Sequence, residues 1–324
     1  MFKVAYYPKT SDVNSYSRNL INILKRSCEI QEISLSHFGR TLLRLLGSKH
    51  TDLIVLNWIE NAILVDGKVH CRKLIKVTLK VLLLRVFFKR MVYVRHNFMP
   101  HDSRGAKRLI LAFMNLVELL SNRVFVHSEA HVAPSRSYLP HPLYSFNSQE
   151  NEKTESIPFT HYFVIFGRLK AYKGLDEFFK KLPKNINVVI VGSGDFDIQF
   201  HIVNESEKSN IHWIRNYVPD VELARILKKS LGTLIVSSSQ TMILSGSVIF
   251  SLSAHTRIIA LQSNTNLWLA EIFGTNVIRN YLSIEEMCED LHKYSLYTFS
   301  EIEVKKIRDH FSEDKILKSF LRVM

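Results

Sequence analysis

The chain has 324 residues, 46% of them hydrophobic, with 43 Lys and Arg against 30 Asp and Glu, a formal charge of +13. That length predicts two domains of roughly 150 residues with real cores, and the composition excludes a disordered chain. Cys28, Cys71 and Cys288 stand far apart, which argues against a disulfide framework or a zinc site and favours a reducing cytoplasm, while the excess of cations calls for a polyanionic partner: nucleic acid, an acidic membrane face or a phosphorylated substrate.

The first residues, Met1-Phe2-Lys3-Val4-Ala5-Tyr6-Tyr7, read as a strand and lack the apolar core and cleavage site of a signal peptide. Strands are then predicted at Leu53–Leu56, Met91–Val94 and Arg123–Val126, with helices over Ser15–Lys25, Arg72–Phe88 and Ala106–Leu120. The polar run from Asn147 to Ile157 reads as a linker. Beyond it come strands at Tyr162–Phe166, Asn187–Val191, Ile211–Ile214, Leu234–Ser237 and Arg257–Leu261. Helices fit Leu175–Lys181, Val221–Lys229, Ile249–Ala254 and Ile284–Tyr294, and one last basic, amphipathic helix is expected from about Glu301 to Leu321. The best membrane-span candidate, Val77 to Phe88, is interrupted by Lys80 and Arg85 and falls short of the eighteen or so uncharged residues a span needs. Alternating strands and helices predict two doubly wound parallel α/β domains, whose ligand sites lie at the carboxyl ends of their strands. If those ends face each other, one central cleft holds two substrates.

Several post-strand segments carry chemistry. Phe166-Gly167-Arg168-Leu169-Lys170-Ala171-Tyr172-Lys173-Gly174 lies between a strand and a helix. Gly167 permits the turn, and Arg168, Lys170 and Lys173 gather cations where a helix N-terminus already favours an anion. An Arg fork with a flexible Lys is a common grip on a diphosphate; the competing reading is a solvated basic loop. Leu244-Ser245-Gly246-Ser247 offers hydroxyls and backbone N–H groups to phosphate oxygens, or serves as a plain helix cap. Arg95-His96-Asn97-Phe98-Met99-Pro100-His101-Asp102 follows a strand and supplies candidate proton acceptors in His96, His101 and Asp102, the alternative being structural histidines. In Asn57-Trp58-Ile59-Glu60, Trp58 suits a sugar ring or the core, and Glu60 is a further candidate base. Asp195-Phe196-Asp197 invites a metal, but the turn at Gly192-Ser193-Gly194 explains the glycines without one, so no metal site is expected. From Lys68 to His101 there are cations and apolar residues but no acid, the pattern of a helix lying on an anionic bilayer through Lys76, Lys80 and Arg85. An ordinary surface helix is the alternative. No nucleic-acid-binding module accompanies the charge.

In their order along the chain, His96-Asn97 with Pro100-His101, Gly167 through Gly174, Ser245-Gly246, Asn57-Trp58-Ile59-Glu60 and His141-Pro142-Leu143-Tyr144 resemble the landmarks of bacterial GT-B glycosyltransferases, the family 4 and family 1-like enzymes of exopolysaccharide, O-antigen and capsule synthesis. The resemblance implies two Rossmann-like domains facing a central cleft: an acceptor-binding domain over 1–150, a nucleotide-sugar domain over 158–300, and a C-terminal helix, 301–324, packing back toward the first. It implies a metal-independent hexosyltransferase without a cofactor, taking a nucleotide-diphosphate sugar. Gly167, Arg168, Lys173, Ser245 and Gly246 would hold the donor, and an undecaprenyl-diphosphate-linked or growing glycan would be the acceptor. The enzyme would be cytoplasmic and peripheral on the inner face of the plasma membrane, with no nucleic-acid partner. The alternative is a non-catalytic GT-B-like protein that binds nucleotide sugar or acts as a scaffold. The sequence departs from the group where paired glutamates are missing around Ser237–Ser251, and where His255-Thr256-Arg257-Ile258 replaces the usual Gly-Lys-Pro-Val.

Overall fold

The computed structural model describes residues 2–10, 15–35, 52–100, 103, 105–146, 156–170, 173–194, 210–237 and 241–323. The chain divides into two compact units: Met1–Pro142 with Thr241–Leu244 and His310–Met324, and Leu143–Gln240 with Ser245–Asp309.

In the first unit the strands are β1 (Phe2–Tyr7), β2 (Cys28–Glu32), β3 (Leu53–Asn57), a small antiparallel hairpin β4 (Leu64–Val65) and β5 (Lys68–Val69), then β6 (Arg90–Val94), β7 (Arg123–Val126) and β8 (Arg136–Tyr138). Among the described residues, all but the hairpin form one parallel sheet ordered β2-β1-β3-β6-β7-β8. A parallel sheet is covered on both faces, so its strands are apolar throughout. In β3 every residue is buried. Alternate residues feed two cores: Val4, Tyr6, Val55 and Val92 face one way, toward Leu20 and Leu24 of α1 (Ser15–Leu24). Ala5, Ile54, Leu56 and Met91 face the other, toward Val81 and Leu84 of α2 (Cys71–Phe87) and Phe113 and Val117 of α3 (Lys107–Leu120).

The second unit holds β9 (Phe163–Phe166), β10 (Val188–Val191), β11 (Ile211–Ile214), β12 (Gly232–Ile235), β13 (Ile258–Leu261) and β14 (Ile278–Tyr281), parallel throughout and ordered β11-β10-β9-β12-β13-β14. Its helices are α4 (Leu175–Lys181), α5 (Asp220–Lys228), α6 (Gly246–Ser253), α7 (Asn264–Phe273), α8 (Ile284–Asp290) and α9 (Glu301–His310). The segments that follow β9 and β10 run so close together that a Cβ on Gly192 would stand 2.3 Å from the Gly167 carbonyl oxygen, and one on Gly194 1.9 Å from that of Leu169. Glycine is required at both places by backbone contact alone.

The long C-terminal helix expected from Glu301 to Leu321 is two helices. Ser312 is extended (φ −64, ψ 144) and starts α10 (Glu313–Leu321), whose first turn carries Glu313 and Asp314. Acids there complement the helix dipole and favour a new start over continuation. Both also accept from Arg26 just beyond α1, at 3.0 and 3.2 Å, and Ile316 and Phe320 complete the α1-side core.

Each sheet has one place where strand order reverses: between β1 and β3 in the first unit, between β9 and β12 in the second. In doubly wound sheets ligands bind beyond the carboxyl ends of the strands at such a point.

Candidate ligand sites at the two sheet switch points

At the β1/β3 switch point, Asn57 ends β3 and donates its Nδ2 to the Tyr7 carbonyl at the end of β1, 3.1 Å away. That bond orients the amide so that Oδ1 lies 3.1 Å from Nε2 of His96, the second residue beyond β6. Trp58 takes a left-handed backbone (φ 46, ψ 32) and stacks on the His96 ring at 3.9 Å and 16°. A non-glycine residue in that region costs on the order of 1–3 kcal/mol, a strain found most often at functional sites. Tyr16 of α1 stands at the centre, with its ring within 5.3 Å of Trp58, 4.7 Å of His96, 5.2 Å of His127 and 4.8 Å of His141.

Hydrogen bonding fixes the protons of this cluster. His127 Nδ1 donates to the Leu139 carbonyl (2.9 Å), so its Nε2 accepts from the Tyr16 hydroxyl (3.0 Å). His141 Nδ1 donates to the Pro142 carbonyl (2.7 Å). Burial disfavours the charged form of all three histidines. It pulls His127 down to about 3 and His141 to about 4. His96 is pushed well below the usual imidazole range by burial first and by His127 and His141 second. The group is a neutral aromatic wall at physiological pH, built to hydrogen-bond rather than to carry charge.

The loop after His96 is held from below. Arg95 is 2% exposed and donates to Glu118 (2.8 Å) and to the carbonyls of Asn97 (3.3 Å) and Phe98 (3.2 Å). Arg136 grips the same carboxylate through two nitrogens, at 2.9 and 3.1 Å, and both guanidinium carbons lie 5.3 Å from the Phe98 ring centroid. Phe98 N donates to the Thr241 carbonyl at 2.7 Å.

The structure brings His96 into this site, while Glu60 is sealed in the core. It is 1% exposed and takes the Tyr93 hydroxyl at 3.0 Å; burial raises its carboxyl group above the usual range, against the pull of Tyr93 and Arg95. His101 and Asp102 lie outside the described residues, as do Asp195 and Asp197. Sequence reading passed over Tyr16 and His127. His127 directly follows β7, so the rule that singled out His96 would also have found it; Tyr16 gives no such signal, because it lies on a helix.

At the β9/β12 switch point, Lys173 Nζ and Ser247 Oγ both donate to the Phe166 carbonyl at the end of β9, each at 3.4 Å. Gly167 (φ 92) sits between them, and a Cβ there would stand 3.5 Å from Ser247 Oγ and 3.6 Å from Lys173 Nζ. Burial lowers the Lys173 ammonium to about 8. Ser247 belongs to the first turn of α6, whose N-cap is Ser245 without a side-chain cap bond; Val248 and Ile249 donate back to the Ser245 carbonyl. The N–H groups of Gly246 and Ser247 have no acceptor within the helix and mark its positive end. Tyr144 braces α6 from outside, its N–H donating to Ser253 Oγ (3.0 Å) and its ring packed on Phe250 (5.0 Å). The structure thus brings Gly167, Lys173, Ser245 and Gly246 together. Arg168, two residues beyond β9, is exposed.

The basic helix α2 buries Val77, Val81 and Leu84 and leaves Ile75, Leu79, Leu82, Leu83, Val86 and Phe87 between 40% and 79% exposed. At 100° per residue, Ile75, Leu79, Leu82 and Val86 share the outer face, with Arg72 and Lys76 beside them. Lys80 is turned toward the body, donating to the Leu35 carbonyl at 2.6 Å. No helix among the described residues is long and apolar enough to cross a membrane.

No family model matches the chain, and no curated protein matches it by sequence. Solved structures do. Anabaena HepE in complex with UDP-glucose is 12% identical, with 99% of each chain covered and a TM-score of 0.67. The lipopolysaccharide outer core galactosyltransferase WaaB is 12% identical over 99% of each chain, with a TM-score of 0.58. The N-terminal domain of trehalose-6-phosphate phosphatase from Candida albicans is 10% identical, covers 100% of this chain and 96% of its own, and has a TM-score of 0.62. At such identity the likeness is one of fold: two parallel α/β domains of the GT-B class.

Proposed function

We propose that the chain is a glycosyltransferase that moves a hexosyl group from a nucleotide-diphosphate sugar to a lipid-linked or growing glycan acceptor in surface polysaccharide synthesis. The observation that carries this reading is the convergence of Lys173, Ser247 and the α6 N-terminus around Gly167 at the second switch point. A half-buried ammonium beside a helix N-terminus suits a diphosphate by charge and by geometry. The binding of UDP-glucose by HepE, a protein of the same fold, supports the same assignment.

In this mechanism Lys173 and the α6 amides neutralise the charge that grows on the departing nucleotide diphosphate, so no metal is needed at that step. Arg168, exposed beside the site, supplies a second cation once donor is bound. The neutral histidine wall of the first unit offers hydrogen bonds and an aromatic face to a sugar ring of its own ligand. Proton removal from the acceptor hydroxyl falls to His101 or Asp102. The exposed aliphatic face of α2, flanked by Arg72, Lys76 and Arg85, rests on the anionic inner leaflet, where an undecaprenyl-diphosphate acceptor is presented. WaaB, which works on a lipid-linked glycan by its name, supports that class of acceptor.

A thermal-shift series with UDP-glucose and other nucleotide sugars, followed by nucleotide release, tests the reading. Stabilisation by a nucleotide sugar, lost together with turnover in Arg168→Ala and Lys173→Ala, is the expected result. Full turnover in both variants would remove the donor site from this place.

A further inference from the structure

The geometry of the first switch point assigns Asn57 a role of its own: it is a positioning residue that holds His96 as the Nε2–H tautomer, so that Nδ1 is the nitrogen left to accept from a hydroxyl group of a ligand beyond the ends of β1 and β3. The identity of that ligand rests on the transferase reading; the tautomer assignment does not.

The chain of reasoning runs through two hydrogen bonds. The Tyr7 carbonyl can only accept, so the Asn57 atom 3.1 Å from it is the amide nitrogen. Asn57 Oδ1 is therefore the atom facing His96 Nε2 at 3.1 Å, and an amide oxygen can only accept. Nε2 must carry the proton, and in a neutral imidazole Nδ1 then carries the lone pair. Among the described residues the ring is covered by Trp58 on one face and neighboured by Tyr16 and His127, the latter itself held as a neutral donor at Nδ1 to Leu139. Tyr7 and Asn57 terminate the two strands that flank the switch point, so the device is anchored in the most rigid part of the sheet. His96 is 9% exposed and Asn57 fully buried, so of the two Asn57 lies deeper.

The test uses the full chain, labelled with 15N. Long-range 15N–1H spectra above neutral pH, with His96 assigned by its loss in His96→Gln, should show His96 as the Nε2–H form. In Asn57→Ala the Nδ1–H form should become populated. Binding of UDP and of UDP-glucose is measured alongside by thermal shift. The tautomer of the parent protein alone decides the assignment if the alanine variant folds poorly. His96 found as Nδ1–H in the parent, or unmoved in Asn57→Ala, overturns the assignment whatever the protein binds. If neither UDP nor UDP-glucose binds while the tautomer responds as described, it is the donor reading that has failed.

Discussion

Replacing Lys173 by Met should stabilise the unliganded protein and weaken its hold on donor, two effects of opposite sign from one charge. Burial lowers the Lys173 ammonium from 10.5 to about 8. The unfolded chain, with the ordinary value, therefore binds more protons between those two pH values, and stability rises with pH across that window. Below pH 8 the full penalty is in force, and a shift of that size corresponds to at most about 3 kcal/mol. Among the described residues, the ammonium is compensated by a long 3.4 Å bond to the Phe166 carbonyl. A neutral, flexible Met fills the space without the charge, so differential scanning fluorimetry of apo Lys173→Met should show the second unit melting a few degrees higher at pH 7. Donor needs the ammonium. In the parent protein the Kd for UDP-glucose should be flat below pH 8 and rise about tenfold per pH unit above it, because one proton is taken up on binding. Lys173→Met should bind about 10- to 100-fold more weakly, as expected for one charged hydrogen bond, and lose that pH dependence. Lys173→Arg should retain charge above pH 8 and shift the inflection upward. A destabilised apo Lys173→Met that binds UDP-glucose as tightly as the parent would refute both halves of the reasoning.

The histidine wall predicts acid sensitivity of the first unit. His127 and His141 titrate near 3 and 4 when folded but near 6.5 when unfolded, so stability is complete above pH 6.5 and declines as pH falls toward 4; Trp58 fluorescence should report the loss, and His127→Asn should reduce it. Gly194→Ala places a Cβ 1.9 Å from the Leu169 carbonyl and should cost the second unit more than about 3 kcal/mol in urea unfolding; a cost under 1 kcal/mol would contradict the close backbone approach. Glu118→Gln leaves Arg95, 2% exposed, without its anion and should destabilise the first unit by about 3–5 kcal/mol while freeing Phe98 from between the two guanidinium groups. Serine at Ile75, Leu79 and Val86 should abolish sedimentation with anionic liposomes without lowering the melting temperature, whereas Lys80→Gln, whose ammonium is bonded inward to Leu35, should have little effect on liposome binding; the reverse ranking would mean that charge alone drives the association.

The strands that cross the middle of each sheet were legible because burial on both faces leaves continuous apolar runs such as Leu53–Leu56 and Phe163–Phe166. Neither edge strand of the first sheet was, although the edge strand β11 was. β2 carries Glu29, Gln31 and Glu32, and β8 is Arg136-Ser137-Tyr138, because one side of an edge meets solvent and tolerates polar residues. α7 escaped notice for a related reason. Its first turn, Asn264-Thr265-Asn266, reads as a loop, and only the structure shows the Ser263 hydroxyl capping the Asn266 amide at 3.1 Å. The break at Ser312 was hidden by an amphipathic pattern that continues across it, since periodicity records which faces are apolar and not where the backbone turns.

The sites divide along the same line between local and long-range information. Gly167, Lys173, Ser245 and Gly246 were legible because each adjoins a strand end or a helix start, and the doubly wound rule sends such residues to one place. What could not be read was how residues distant in sequence share atoms. Ser247 and Lys173 are 74 positions apart yet meet at one carbonyl, a consequence of β12 lying beside β9. The same logic governs the first unit, where Tyr16, Asn57, His96, His127 and His141 come from five separate stretches of the chain. Parallel pairing of β1, β3, β6 and β7 aligns their carboxyl ends, so side chains just beyond those ends must either pack against one another or face a ligand. Tyr16 and His127 satisfy each other fully, whereas Asn57 spends both ends of its amide on orienting His96. A protein that needed only a packed core at that point would be served by apolar residues of the same volume, without the cost of burying three imidazoles. That the switch point instead carries an oriented, neutral imidazole is the reason to look for a hydroxyl-bearing ligand there.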